Sequence, residues 1–190
     1  MRIIDISQAV LGCGVYPGDS APAFARVKTL AADGYNLTDI SMCVHNGTHV
    51  DAPCHFVAGG RGMDEVPLDV FYGPCTVADC SGVISAAAIA PVLATCHERL
   101  LLKGGCEISR EAAEAIAASR VRLVGVEGQS VGNADAPMAV HLVLLNAGII
   151  PLEGLNLSGA EAGAYTLCAF PLNLRGADGS PVRAVLISRP

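Results

Sequence analysis

The sequence predicts one α/β domain with a mixed β-sheet core and flanking helices. Three observations point there. Strand-length apolar runs such as Arg99–Leu102 and Val121–Val126 alternate with the Ala- and Glu-rich stretch Arg110–Ser119, the signature of helices laid on a sheet. Of 190 residues, 52% are apolar and 16% charged, a balance that suits a compact core rather than a disordered chain. No repeat, linker or low-complexity segment divides the chain, and its length fits a single domain over residues 1–190.

Taken in order, Arg2–Ser7 alternates enough for a first strand. Leu11–Ser20 is rich in Gly and Pro and reads as a loop, with Tyr16-Pro17-Gly18-Asp19 as a turn. Leu37–Val50 alternates over its whole length and is expected to be one strand. Cys75–Cys80 is a further short strand. Ile84–Ala94 reads as a short helix disrupted at Pro91. Ser109 is an N-cap candidate for a helix over Arg110–Ser119. Pro137–Asn146 reads as a helix with Pro in its first turn and Gly148 just beyond its end. Tyr165–Leu174 and Val182–Ser188 flank Ala177-Asp178-Gly179-Ser180, which predicts a hairpin turn.

Charge and cysteine usage exclude several classes. The net charge is −6 with 12 scattered Lys and Arg, so a nucleic-acid partner is not expected. Asp5 breaks the only N-terminal apolar run, and Val83–Ala94 is too short to cross a bilayer. A soluble cytoplasmic protein is the expectation, with no membrane partner. Eight cysteines occur without a C-x-x-C pair, so they are read as reduced, structural thiols. The high apolar share also agrees with a surface buried against another copy of the chain.

The informative stretch is His45-Asn46-Gly47-Thr48-His49-Val50-Asp51-Ala52-Pro53-Cys54-His55-Phe56. His and Asp are ligands for zinc or manganese. On a helix, Asp51 would point away from His45. On an extended chain, positions 45, 47, 49 and 51 share one face, and Gly47 leaves room for an ion. Gly47 and Pro53 also argue against a helix. His45, His49 and Asp51 are therefore the candidate metal ligands. Cys54 beside His55 could be taken as a nucleophile–base pair, but neighbours on an extended chain face opposite ways.

This stretch reads H-x-G-T-H-x-D-x-P-x-H-F and closely resembles the motif of the cyclase family of metal-dependent hydrolases, which includes bacterial kynurenine formamidases. Ile4-Asp5-Ile6-Ser7, Tyr16-Pro17-Gly18-Asp19, Asp64-Glu65-Val66-Pro67-Leu68-Asp69 and Gly176 to Arg183 resemble further family segments in the family's order. The resemblance implies the family's swivelling β/β/α fold. It implies His45, His49 and Asp51 as metal ligands, with His55 as acid–base catalyst. It adds His141, in His141-Leu142-Val143-Leu144-Leu145-Asn146-Ala147-Gly148-Ile149, and Glu153 as later ligands. On residue chemistry alone, His141 would be a satisfied core histidine and Glu153 a loop carboxylate.

The implied cofactor is one or two divalent ions, zinc first and manganese second. The implied reaction is hydrolysis of a small-molecule amide, N-formyl-L-kynurenine giving kynurenine and formate, by a homodimer or larger homo-oligomer. Formamidases usually carry Trp where this chain has Tyr16. They carry an Asp-x-Pro-Ser-Val-Asp stretch where it has Glu127-Gly128-Gln129-Ser130-Val131-Gly132. A related hydrolase of another amide, lactam or carbamoyl compound is therefore the nearest alternative. Tyr16, Phe56 and Phe71 are candidate aromatic contacts for a flat substrate, although each reads first as a packed hydrophobe. From other classes, a non-catalytic metal-binding protein should have lost at least one of these ligands. A thiol redox protein should show a C-x-x-C pair or a reactive thiol.

Overall fold

The computed structural model describes residues 1–132 and 137–188. In chain order the elements are β1 (Arg2–Asp5), β2 (Ala23–Lys28), α1 (Leu30–Asp33), β3 (Leu37–Ser41), β4 (His49–Asp51), β5 (Tyr72–Asp79), β6 (Val83–Ile84), α2 (Ala86–Leu93), β7 (Arg99–Lys103), β8 (Glu107–Ile108), α3 (Arg110–Ala117), β9 (Leu123–Val126), α4 (Pro137–Asn146), β10 (Ile150–Glu153), β11 (Gly163–Cys168), β12 (Gly179–Pro181) and β13 (Val185–Ser188). Short 3₁₀ turns at Pro53–His55, Met63–Glu65 and Leu68–Val70 link β4 to β5.

Among the described residues, nine strands form one mixed sheet in the order β1-β13-β11-β5-β7-β9-β10-β4-β12. Its centre, β5-β7-β9-β10, is parallel. Parallel strands are covered on both faces and read as continuous apolar runs, which is what Leu100-Leu101-Leu102 and Leu123-Val124 are. Successive side chains there enter two different cores. Leu100, Leu102, Val124 and Val126 meet Ile89, Ala112, Ile116, Val140 and Leu144 of the helices. Leu101 and Leu123 meet Ile4, Val50, Phe71, Leu167 and Leu186. Those last residues come from both flanks of the sheet, so the sheet curls around the second core. The mixed α/β architecture predicted from the sequence is the one observed.

Local chemistry explains the helix ends. Ser85 Oγ accepts from Ala88 N and Ser109 Oγ from Ala112 N, each satisfying an orphan donor of a first turn. Gly148 follows α4 with φ +74°, the left-handed conformation that glycine adopts without strain.

Two expectations need correction and two are narrowed. Pro91 does not disrupt α2, which runs through it to Leu93; the Ser85 cap and the buried Ile89 outweigh one missing backbone bond. Leu37–Val50 is not one strand. β3 pairs only with β2 in a separate two-stranded sheet, and a turn at Cys43–Asn46 separates it from β4. The hairpin expected between Tyr165–Leu174 and Val182–Ser188 forms, with β11 antiparallel to β13 and Pro171 bridging Val182. Its connection is longer than a tight Asp178-Gly179 turn, because the chain between crosses to the opposite edge of the sheet, where β12 pairs with β4. Of the three aromatics weighed as substrate contacts, Phe71 is a packed hydrophobe, fully buried in the core.

Candidate metal centre

The site forms where β4 lies between β10 and β12. The register sets Glu153 opposite His49 and Gly179 opposite Asp51. His49 and Asp51 share a face of β4, as period-two alternation requires. His45 arrives from the preceding turn. There Asn46 N–H donates to Cys43 O while Asn46 Oδ1 accepts from Cys43 N–H, and Gly47 takes φ +70°. The convergence expected of His45, His49 and Asp51 is observed, but by a turn plus a strand rather than by one extended run. His141 enters from α4.

The contacts are short and buried. His45 Nδ1 lies 3.0 Å from Asp51 Oδ1 and His49 Nε2 lies 3.2 Å from Glu153 Oε2. His141 Nε2 lies 3.0 Å from Glu153 Oε1 and 3.3 Å from Asp51 Oδ2. His49, Asp51, His141 and Glu153 are each at most 4% exposed. Among the described residues three overlapping donor sets result, His45/His49/Asp51, Asp51/His141/Glu153 and the less buried His45/His55/Asp178. Asp51 belongs to the first two.

This donor set fits a divalent cation. Imidazole and carboxylate are borderline and hard ligands. Asp51 Oδ2 is buried and accepts no hydrogen bond from the described residues, with His141 Nε2 3.3 Å away. A buried carboxylate oxygen left in that state is costly unless a cation faces it.

Above the cluster lies a cavity of about 430 Å³ whose lining includes Tyr16, Asp19, His55, Phe56, Gln129 and Met138. His55 sits in the Pro53–His55 turn with its ring 4.2 Å from that of His45. The Phe56 ring is 4.6 Å from that of His141. Tyr16 and Phe56 thus reach the cavity as expected. Gln129 and Ser130 of the 127–132 stretch do so too, whereas Glu127 instead accepts from the backbone of Gly104, Gly105 and Leu157.

The histidines divide by environment. Burial opposes the charge on His45, yet bonds to Asp51 and Asp178 raise its pKa to about 9. Burial likewise opposes that on His141, and Asp51 and Glu153 raise it to about 10. His49 is also raised, by Glu153 and Asp51 against burial. His55 alone of the four is lowered, by burial, and so is neutral at pH 7. Burial raises the Cys54 thiol, as does the Asp178 charge, so a Cys54–His55 nucleophilic pair is not supported.

A prediction follows for the cation-free protein. His45 and His141 hold protons at neutral pH that an incoming cation must displace. Binding should release protons and strengthen as pH rises toward 9. The same ion pairs stabilise the cation-free fold fully below the ordinary histidine value of 6.5, and that contribution is lost as pH passes through about 9 to 10. Calorimetry in buffers of differing ionisation enthalpy counts the protons; no release would contradict this assignment.

The model of the family described as "Putative cyclase" matches residues 4–101. The chain is 34% identical to the kynurenine formamidase of Salinibacter ruber (strain DSM 13855 / M31), covering 100% of this chain and 99% of that protein. The chain belongs to the cyclase family. Among solved structures, a potential metal-dependent hydrolase with cyclase activity superposes with TM-score 0.85 at 29% identity, covering 100% and 99% of the two chains. A predicted metal-dependent hydrolase from Bacillus stearothermophilus gives 0.84 at 28%, covering 97% of each. An isatin hydrolase bound to a product analogue gives 0.88 at 17% identity, over 100% of this chain and 93% of that one, a likeness of fold alone. This cyclase-family chain is a hydrolase of carbon–nitrogen bonds other than peptide bonds. Its cluster is of a kind that binds a divalent metal. All eight cysteines are free, and no helix of the described residues is long and apolar enough to cross a membrane.

Two features escaped the sequence reading. Asp178 Oδ2 lies 3.1 Å from His45 Nε2 and 3.3 Å from His55 Nδ1. The Asp-Gly pair was visible only as a turn signal, and nothing local marks it as facing residues more than a hundred positions away. Gly154 is the second, at φ +66° with space for a Cβ closed by Gly47 O at 2.3 Å. Gly154→Ala would push β10 away from the Gly47–Thr48 backbone. At about 1–3 kcal/mol for such strain, the Tm should fall by roughly 2–12 °C in a thermal melt. An unchanged Tm would contradict the close approach.

Proposed function

We propose that this protein is a metal-dependent arylformamidase that cleaves N-formyl-L-kynurenine to kynurenine and formate. One observation carries this reading. A cluster of three imidazoles and two carboxylates, all buried except the part-buried His45, floors a substrate-sized cavity, in a chain 34% identical over its whole length to a kynurenine formamidase. His45, His49, Asp51, His141 and Glu153 are the ligands. Asp51, shared by two of the donor sets, would let the cluster hold one divalent ion or two. Zinc is the assigned metal, with manganese the alternative.

A divalent cation held there supplies positive charge to acidify a water and polarise the amide carbonyl. His55, neutral at pH 7 and lining the cavity, takes a proton from water and returns it to the leaving amine. Tyr16 and Phe56 flank the flat aniline ring. Burial of the cluster keeps its field strong.

The wider expectations join this reading. Residues 1–190 act as one domain. Free thiols agree with a cytoplasmic enzyme. The arm formed by β2, α1 and β3 carries Phe24, Val27, Leu30, Tyr35, Leu37 and Ile40, all between 43% and 66% exposed. An apolar arm of this kind supports a homodimer or larger assembly. A second reading, hydrolysis of another amide, lactam or carbamoyl compound, is favoured by Tyr16 and Gln129 in the cavity, where formamidases differ.

The test compares N-formyl-L-kynurenine with the lactam isatin, using protein stripped by chelator and reloaded with zinc or manganese. Metal-dependent kynurenine release well above isatin opening is expected. Turnover of isatin alone would transfer the assignment to the second reading.

A further inference from the structure

We propose that Asp178 is a positioning residue for this reaction, its single carboxylate oxygen orienting the rings of both His45 and His55. The inference rests on the role given to His55 above. Asp178 Oδ2 is 3.1 Å from His45 Nε2 and 3.3 Å from His55 Nδ1. An ionised carboxylate only accepts hydrogen bonds, so both of those ring nitrogens carry hydrogen. His45 is left with Nδ1, 3.0 Å from Asp51 Oδ1, to face the metal-binding donors. His55 is left with Nε2, which has no hydrogen-bond partner among the described residues, to exchange protons in the cavity it lines. A carboxylate behind a ligand histidine fixes its tautomer and ring plane. Here one carboxylate serves a ligand and an acid–base group together.

The backbone makes Asp178 a fixed point. Asp178 O accepts from Ala52 N–H and Ala177 O from Met63 N–H, at 2.8 and 2.9 Å. Gly176 N–H donates to Asp64 Oδ1 at 2.7 Å. Next to it, Gly179 pairs with Asp51 in the β4–β12 ladder. A Cβ at Gly179 would stand 2.7 Å from His45 Cε1. The Asp178-Gly179 pair therefore holds His45 twice, by an acceptor at Nε2 and by bare backbone close to Cε1. The Asp178 side chain is 50% exposed, so its ion pairs add little to folding and Asp178→Asn should fold.

Two readouts test this on metal-loaded full-length protein. Imidazole nitrogen NMR of the zinc-loaded wild type should show His55 with hydrogen on Nδ1 and a bare Nε2. In Asp178→Asn it should show a mixture of tautomers. A wild-type His55 already mixed, or hydrogen-bearing on Nε2 alone, would overturn the proposal whatever the substrate is. In kinetics at saturating zinc, Asp178→Asn should lower kcat on N-formyl-L-kynurenine roughly 10–100-fold with little change in KM. On p-nitrophenyl formate, whose leaving group departs without a proton, the loss should be far smaller. Equal losses on both substrates, or none, would overturn the proposal. Failure of the wild type on the amide would count against the arylformamidase reading, and the NMR result would still decide the role of Asp178.

Discussion

Asp51→Asn should strip the cluster of its metal and lower kcat/KM by more than about 100-fold, since changes one shell further out already cost roughly 10–100-fold. Among the described residues, Asp51 joins the His45/His49 donor set to the His141/Glu153 set. It is fully buried, with Oδ1 3.0 Å from His45 and Oδ2 3.3 Å from His141. Asparagine keeps its shape and removes its charge. Deleting one member of a buried ion pair can cost roughly 3–5 kcal/mol when the partner stays charged. Here His45 and His141 can lose their extra protons instead, so the variant should fold and lose function. Metal analysis after desalting, alongside kcat/KM and a thermal melt, separates the two effects. A variant with full metal content and full turnover would remove Asp51 from the centre.

His55→Gln should show the opposite split, with metal retained and kcat reduced roughly 10²–10⁴-fold. The physical ground is the division among the four histidines of the site. Carboxylates pull His45, His49 and His141 toward the protonated form, whereas burial leaves His55 neutral. A neutral imidazole at the cavity wall can accept a proton near pH 7 and return it. Its side chain is 26% exposed, against at most 4% for the side chains of Asp51 and Glu153. Measured metal content and steady-state kinetics suffice. Unchanged kcat would withdraw the acid–base role, and lost metal would make His55 a ligand.

What could be read in the sequence follows from how local the governing physics is. His49 and Asp51 obey strand alternation, and Ser109 caps its helix through a bond three residues away. Both are patterns within a few residues. The central strands were legible because burial on both faces leaves continuous apolar runs at Leu100–Leu102. The path of His45 was not, because the alternation over Leu37–Val50 persists through a break that an Asn46 turn creates. His141 and Glu153 carried no local chemistry of their own. They were reached through the resemblance of their segment, and their mutual 3.0 Å contact is a property of the sheet order. Asp178 is the clearest case. Its Asp-Gly pair has the composition of a hairpin turn, but the chain uses the Asp for its acceptor oxygen and the Gly for the space beside His45.

The central claim is that β4, α4 and β10 build one metal centre. Anomalous diffraction from a crystal of zinc- or manganese-loaded protein tests it most directly. The account predicts density within roughly 2.0–2.2 Å of ligand atoms on Asp51, with His45 and His49 on one side and His141 and Glu153 available on the other. Metal bound elsewhere, or none at these residues in fully loaded active protein, would contradict it.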